Sequence, residues 1–345
     1  MVLSISGVCA QTHNTSADLP NISVIGNFLG SSNANQKDFS VKEIEISFQD
    51  HLHPSINTNV FAAIHKEDGK HILELDEAYV TFSDLIGVTF PNSPVNPGIG
   101  AIVGKKLLSI GKINSLHPEQ WHFVDKPLTT QQFLGGKYGL SGEGAQLSYL
   151  LPLPFFSQVE LGYWSASKQH ANEGVETEIE SHGIEYENTL FAARLWNSID
   201  LSDTQELEIG FSKLFGNISA KSNNEKQELQ SLDITFTQKL RDDQFFKVQA
   251  EYYQSNYGEE GEAREKQNGA YISSLYQINR FYQVGLRFDT LGTHGYEGNT
   301  KERLTYALTK QLTETSKIRL QYNTGKDIDN TIYLQFIFGI GPHLD

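Results

Sequence analysis

Cysteine, methionine and tryptophan are nearly absent from this chain, at one, one and three in 345 residues. A single cysteine, Cys9, excludes an internal disulfide framework and any zinc site built from cysteine pairs. Internal runs of about 18 consecutive apolar residues are missing, so no segment reads as a membrane helix. Phosphate-binding loops and nucleophile elbows are missing too. Lys and Arg number 27 against 42 Asp and Glu, a formal net charge of −15. Nucleic-acid binding needs clustered positive charge, so nucleic acid is excluded as a partner.

What the chain has in quantity is alternation. Ile332, Leu334, Phe336, Phe338 and Ile340 interleave with Tyr333, Gln335, Ile337 and Gly339, and Leu232, Ile234 and Phe236 with Asp233, Thr235 and Thr237. A period of two puts the two sets on opposite faces of a strand. The pattern predicts strands at 21–29, 40–49, 55–66, 72–83, 105–113, 142–151, 156–165, 188–199, 203–214, 228–240, 244–256, 268–278, 281–290, 301–311, 315–324 and 331–340. Segments near ten residues suit tilted membrane strands. Mean hydropathy of −0.39 does not oppose this, because only every second residue of a barrel strand meets lipid. The expected fold is all-β: a closed antiparallel transmembrane β-barrel of about sixteen strands, within fourteen to eighteen.

The connections alternate in length. Tight ones such as Leu151-Pro152-Leu153-Pro154, Leu240-Arg241-Asp242-Asp243 and Ile278-Asn279-Arg280 carry turn residues. Longer polar ones run from Gly30 to Asp38, Ser165 to Glu187, Gly216 to Glu228, Ser255 to Asn268, Thr290 to Thr300 and Gly325 to Asn330. Short periplasmic turns and long extracellular loops follow, which places the chain in a bacterial outer membrane in contact with its lipid. Asp84 to Gly104, with Pro91, Pro94 and Pro97, is too long for the periplasmic turn expected there. At the front, Val8-Cys9-Ala10 closes an apolar run with small residues. Residues 1–10 are therefore expected to be the remainder of a signal peptide and 11–20 an N-terminal extension. Residues 21–340 form one barrel domain, and 341–345 a tail.

The longest interruption, 113–142, sits inside that domain. Thr129 or Thr130 is placed to cap a short helix there, and Gly135 to end it. Long loops without strands of their own are commonly functional, and a barrel this wide leaves room for one to fold inward. Gly111-Lys112-Ile113-Asn114, His117-Pro118, Gln120-Trp121, Phe123 to Pro127, Gly139 to Gly144 and Leu150 to Phe156 carry a resemblance. The chain resembles a poorly characterised family of porin-like Gram-negative outer-membrane β-barrels. Some of its members bear the label of zinc-regulated TonB-dependent outer-membrane proteins. The resemblance spans most of the chain and implies a porin-like barrel. A TonB-dependent receptor would need a plug domain, and the first strand candidate begins at 21, soon after the predicted cleavage.

Two sets of residues carry candidate chemistry. His117, Glu119, His122 and Asp125 combine imidazole and carboxylate groups suited to zinc or a similar divalent ion. The plainer reading is a loop packed in the lumen, with His and Asp bonded to backbone groups. His51 and His53 flank a turn, and His65 and His71 bracket a hairpin tip. All four read as exposed. The polar strand faces place Glu43, Glu45, Glu160, Glu208, Asp233, Glu251 and Asp289 against Lys239, Lys247, Arg287 and Arg319. Glu43, Glu45, Glu160, Asp233, Lys247, Glu251, Arg287 and Arg319 are the pore-lining candidates. Their balance, with acidic loops at Glu173 to Glu187 and Glu259 to Glu265, predicts a weak cation preference.

Three functions compete. The first is a passive channel for small hydrophilic solutes or ions; a homotrimer is compatible with this barrel size. The second is a binding or uptake protein for a metal ion or metal complex. The third, a barrel enzyme, lacks a nucleophile beside a base; Ser141 is its nearest approach. No catalytic residue and no resident cofactor is expected, zinc aside.

Overall fold

The computed structural model describes residues 20–342 apart from 68–69, 94–96, 136–138, 167–185, 219–224, 260–264 and 293–299. Sixteen strands close into one barrel among the described residues. They are β1 (Asn21–Ser32), β2 (Lys37–His53), β3 (Ile56–Glu67), β4 (Lys70–Phe82), β5 (Ile99–Leu107), β6 (Ser141–Leu150), β7 (Phe156–Ala166) and β8 (Tyr186–Ser202). The second half comprises β9 (Gln205–Ile218), β10 (Glu225–Arg241), β11 (Gln244–Glu259), β12 (Glu265–Asn279), β13 (Tyr282–Gly292), β14 (Thr300–Gln311), β15 (Ser316–Lys326) and β16 (Ile328–Ile340). Each strand pairs antiparallel with its sequence neighbours. The seam closes β1 on β16, from Val24 opposite Ile340 to Ser32 opposite Ile332. Inside the seam, Gln335 Nε2 donates to Asn27 Oδ1 (3.1 Å). Closure leaves no row of unpaired edge groups, which a bilayer would not tolerate.

The wall is inverted relative to a soluble protein. Leu232, Ile234, Ile272, Leu286, Phe288, Leu308, Leu320 and Leu334 are exposed. Ser212, Asp233, Glu251, Arg287, Arg303 and Arg319 are buried. Large exposed apolar surface demands a partner, and here it forms a band around the barrel that matches lipid. A charge at the middle of this band is costly. Leu286→Arg is expected to destabilise the barrel by about 2–4 kcal/mol. Reversible urea unfolding from lipid vesicles reads that loss.

Several boundaries differ from the sequence expectation, and each difference has a local cause. The strand expected at 105–113 is β5, which starts at Ile99 and ends at Leu107. Gly100, Ala101 and Gly104 blur its alternation, while Leu108 and Ile110 turn inward instead of continuing the wall. The proline-rich connection before it holds a five-residue helix, α1 (Leu85–Thr89), started by Asp84 accepting from Gly87 N (2.8 Å). Several expected loops shrink because the strands run beyond the bilayer-length core. β2, β8 and β10 each reach 17 residues. Between β15 and β16 only Asp327 remains, at φ 56°. His65 is buried, its Nε2 3.6 Å from Glu74, rather than exposed at a hairpin tip. His51 and His53 are exposed. The expected signal-peptide remainder at 1–10 with Cys9, and the extension up to residue 19, lie outside the described residues, as does most of both acidic loops.

The tight turns follow their side chains. Asn279 Oδ1 accepts from Phe281 N (2.9 Å) and Tyr282 N (3.1 Å), fixing the β12–β13 reversal. No described helix is long and apolar enough to cross a membrane.

Candidate functional site

The connection from β5 to β6 does not project outward. The described residues of this connection, 108–135 and 139–140, fold into the barrel and fill part of its lumen. The segment starts and ends beside itself, because Leu107 is paired with Ser141. Asn114 ties the two ends together. Its Nδ2 donates to Leu108 O (2.8 Å) and Leu140 O (3.0 Å), and its Oδ1 accepts from Leu140 N (2.8 Å). Gly111 lies at φ 64° beside Tyr253 and Glu251, where a Cβ would collide with both side chains.

Apolar packing seats the upper part. Leu108, Ile110, Leu128, Phe133, Leu134 and Leu140 cluster with wall residues Trp164, Leu190, Leu214, Leu229, Tyr253 and Leu291. These wall positions belong to the inward parity that is polar elsewhere. Burying each large apolar side chain contributes about 1.5–3 kcal/mol. A short helix, α2 (Leu128–Phe133), forms the centre of this cluster. Thr129 and Thr130 sit buried within the helix and do not cap it, because Pro127 takes the N-cap position. Leu128 N donates to Asp289 Oδ1 on the wall (3.0 Å).

Charged groups seat the rest, in three sectors of the inner wall. The first is basic and lies on β13–β15. Asp125 accepts from Arg287 Nη2 (2.9 Å), Arg303 Nη1 (2.6 Å), Gln321 Nε2 (2.9 Å) and Asn323 Nδ2 (3.4 Å). Burial pushes the Asp125 carboxyl up, but Arg303 and Arg287 overcome it and hold the group at about 2. Arg319 donates to Phe123 O (2.8 Å) and Trp121 O (2.6 Å). The second sector is acidic and lies on β2 and β4. His117 Nδ1 is 2.9 Å from Glu45 Oε2, and Nε2 is 2.8 Å from Glu77 Oε2. With both carboxylates ionised, both ring nitrogens donate. Burial opposes that charge, but the two carboxylate bonds hold the ring well above the usual imidazole range. The third sector mixes signs on β8–β12. Glu251 accepts from Lys112 N (2.9 Å), Tyr253 OH (2.5 Å) and Tyr271 OH (2.7 Å). Arg194 pairs with Asp233 at 2.8 Å, and Lys112 pairs with Glu208.

The pore-lining candidates thus face inward but divide by partner. Glu45, Glu251, Arg287 and Arg319 grip the luminal segment. Asp233 is taken up by Arg194. Glu43, Glu160 and Lys247 are partly buried on the wall. The four metal candidates do not meet at one point. His117 and Glu119 offer ligand atoms within 4.8 Å of one another and of Glu45. Asp125 lies in the arginine sector instead. His122 stands where burial and the flanking Lys247, Arg319 and Lys317 push its ring down to about 3. That surrounding disfavours a cation.

Sequence reasoning missed Arg303, Glu77, Asp76, Lys126 and Asn114. Arg303 shares the inward parity of Thr305 in β14, a signal that was there to use. Glu77 was hidden by a bulge. The β3–β4 register shifts between Phe61 and Ala62, so Glu74 and Glu77 sit on one face despite their odd spacing.

Comparison with known proteins supports the architecture. The anion-selective porin of Comamonas acidovorans matches with a TM-score of 0.60, covering 92% of this chain and 98% of that one. The fold is that of the outer-membrane porins. The loop L8 deletion mutant of OmpT, an outer-membrane protein of Vibrio cholerae, matches at 0.59 over 94% of this chain and 100% of that one. The outer-membrane channel DcaP of Acinetobacter baumannii matches at 0.58 over 94% and 96%. Identities are 8%, 10% and 11%, so the likeness is one of fold. An uncharacterised protein of Aquifex aeolicus (strain VF5) is 25% identical over 391 residues, 95% of this chain and 79% of that protein. No protein-family model matches. These relatives give no support to the zinc-regulated TonB-dependent label.

Proposed function

We propose that this chain is a non-enzymatic outer-membrane channel for small hydrophilic solutes, with the luminal segment controlling what passes. One observation carries the reading: the closed, polar-lined barrel contains an internal segment that polar and ionic contacts hold to the wall. A wall of this strand number leaves an aqueous interior unless something fills it. The formal net charge of −15 favours cations, a weak preference that reversal potentials in a salt gradient measure. Reconstitution into planar bilayers tests the channel itself. Discrete conductance steps are expected, and folded protein that never conducts under any voltage sinks the proposal. The porin likeness also makes a homotrimer the assembly to look for, by mass measurement in mild detergent.

A second reading has its own observation. Among the described residues, Glu45 belongs to two carboxylate-bearing groups that could hold a metal, one with His117 and Glu119 and one with Glu43 and Asp76. Its Oε1 is buried with no hydrogen-bond partner. On this reading the barrel binds a divalent ion such as zinc at the acidic sector. Replacing His117 and His122 together, or His117 alone, should then reduce zinc retained after dialysis, while His122→Ala alone should not. Equal zinc content in all three variants and the parent rejects it.

A further inference from the structure

We infer that Asp125 occupies a binding site for small organic carboxylates, and that such a solute competes with it for the wall. The inference deepens the channel reading, because it names the solute class that would release the luminal segment.

The site belongs to the wall. Each Asp125 oxygen takes one arginine and one amide: Oδ1 from Arg287 and Gln321, Oδ2 from Arg303 and Asn323. All four donors lie on β13, β14 and β15, so the cradle remains when the segment leaves. Two guanidinium groups side by side match the planar fork of a carboxylate.

The cradle is also preorganised without Asp125. Asp289 Oδ2 accepts from Arg287 Nε (2.9 Å) and Arg303 Nε (3.2 Å), which aims both Nη ends at the same point. Asp289 is itself fully buried on β13, opposite Arg303 on β14. A fixed second carboxylate of this kind keeps both guanidinium groups oriented between occupants.

Charge balance calls for an anion there. Arg287, Arg303 and Asp289 together leave one positive charge once Asp125 is removed. Arg319, next along the wall, bonds only uncharged oxygens: Phe123 O, Trp121 O, Gln335 Oε1 and Thr309 Oγ1. Buried cations without a partner are costly, so the vacated cradle attracts a substitute.

Access completes the case. The Asp125 side chain is 22% exposed, against 1% for Arg287 and 0% for Arg303. A small cavity beside it is lined by Asp125, Lys126, Gln249, Tyr271, Ser273 and Arg287. Solvent therefore reaches the rim of the cradle while the segment is in place.

Calorimetric titration of the full-length folded barrel with propionate tests the site. Asp125→Asn removes the competing charge and keeps the shape. It should bind propionate at least about tenfold more tightly than the parent, since an occupied site binds in proportion to its free fraction. Arg287→Gln with Arg303→Gln should abolish binding. If that pair fails to fold, Arg303→Lys keeps the charge but loses the fork, and should weaken binding in the Asp125→Asn background. Equal affinity of Asp125→Asn and parent overturns the inference. So does no binding to Asp125→Asn at tens of millimolar propionate, or sulfate competing as well as propionate at equal ionic strength. A barrel that binds propionate yet never conducts sinks the channel reading alone; one that conducts but does not bind sinks only this site.

Discussion

Replacing residues 115–138 with a short Gly-Ser linker should raise single-channel conductance on the order of severalfold, because the segment fills a lumen that sixteen strands leave wide. The wall should survive the deletion. β5 and β6 pair directly from Ile99 opposite Tyr149 to Leu107 opposite Ser141, so the linker bridges adjacent strand ends. Stability should fall nonetheless. Leu128, Phe133 and Leu134 leave the luminal cluster, each a loss of about 1.5–3 kcal/mol. The inter-strand ladder and the lipid-facing band are untouched, so a less stable but folded and wider barrel is the expected product. Conductance equal to that of the parent would show that the segment does not limit passage.

Charge reversal at Asp125 should have the second-largest effect. Asp125→Arg puts a fourth guanidinium among Arg287, Arg303 and Arg319, all at most 1% exposed. Asp125 closes two buried pairs, with Arg287 and Arg303; breaking each costs about 3–5 kcal/mol, and adding a like charge costs more. That exceeds what the backbone bonds around it, Arg287 Nη1 to Asp125 O (2.7 Å) and Arg303 Nη2 to Lys126 O (3.0 Å), can recover at about 1.5–3 kcal/mol each. The 121–127 stretch should leave the wall. Trp121 reports it, through increased quenching of its fluorescence by acrylamide. Combining Asp125→Arg with Arg303→Asp restores an opposite-charge pair and should recover much of the protection, a coupling a double-mutant cycle measures. No recovery would show that the segment is held by its apolar cluster and not by this sector.

The wall of the barrel was legible in the sequence because its signal is local. Leu232, Ile234 and Phe236 declare their face from residues two positions away. The luminal segment was legible only as an interruption. Nothing in residues 108–140 states which wall groups they meet, since Arg287 lies 162 residues from Asp125 and Lys317 lies 198 from Glu119. Glu77 escaped because a bulge changes parity, and β5 because glycine and alanine carry no facing signal.

The sequence by itself determined a closed antiparallel barrel, its inside-out polarity and the place of its longest insertion, because strand periodicity and turn chemistry act between near neighbours. Only the tertiary structure decided that this insertion folds inward, that Asp125 joins an arginine cradle while His117 joins Glu45 and Glu77, and that the four residues suited to a metal divide between opposite electrostatic surroundings. Closing sixteen strands brings distant positions to one lumen, and no pattern of period two encodes which of them meet there.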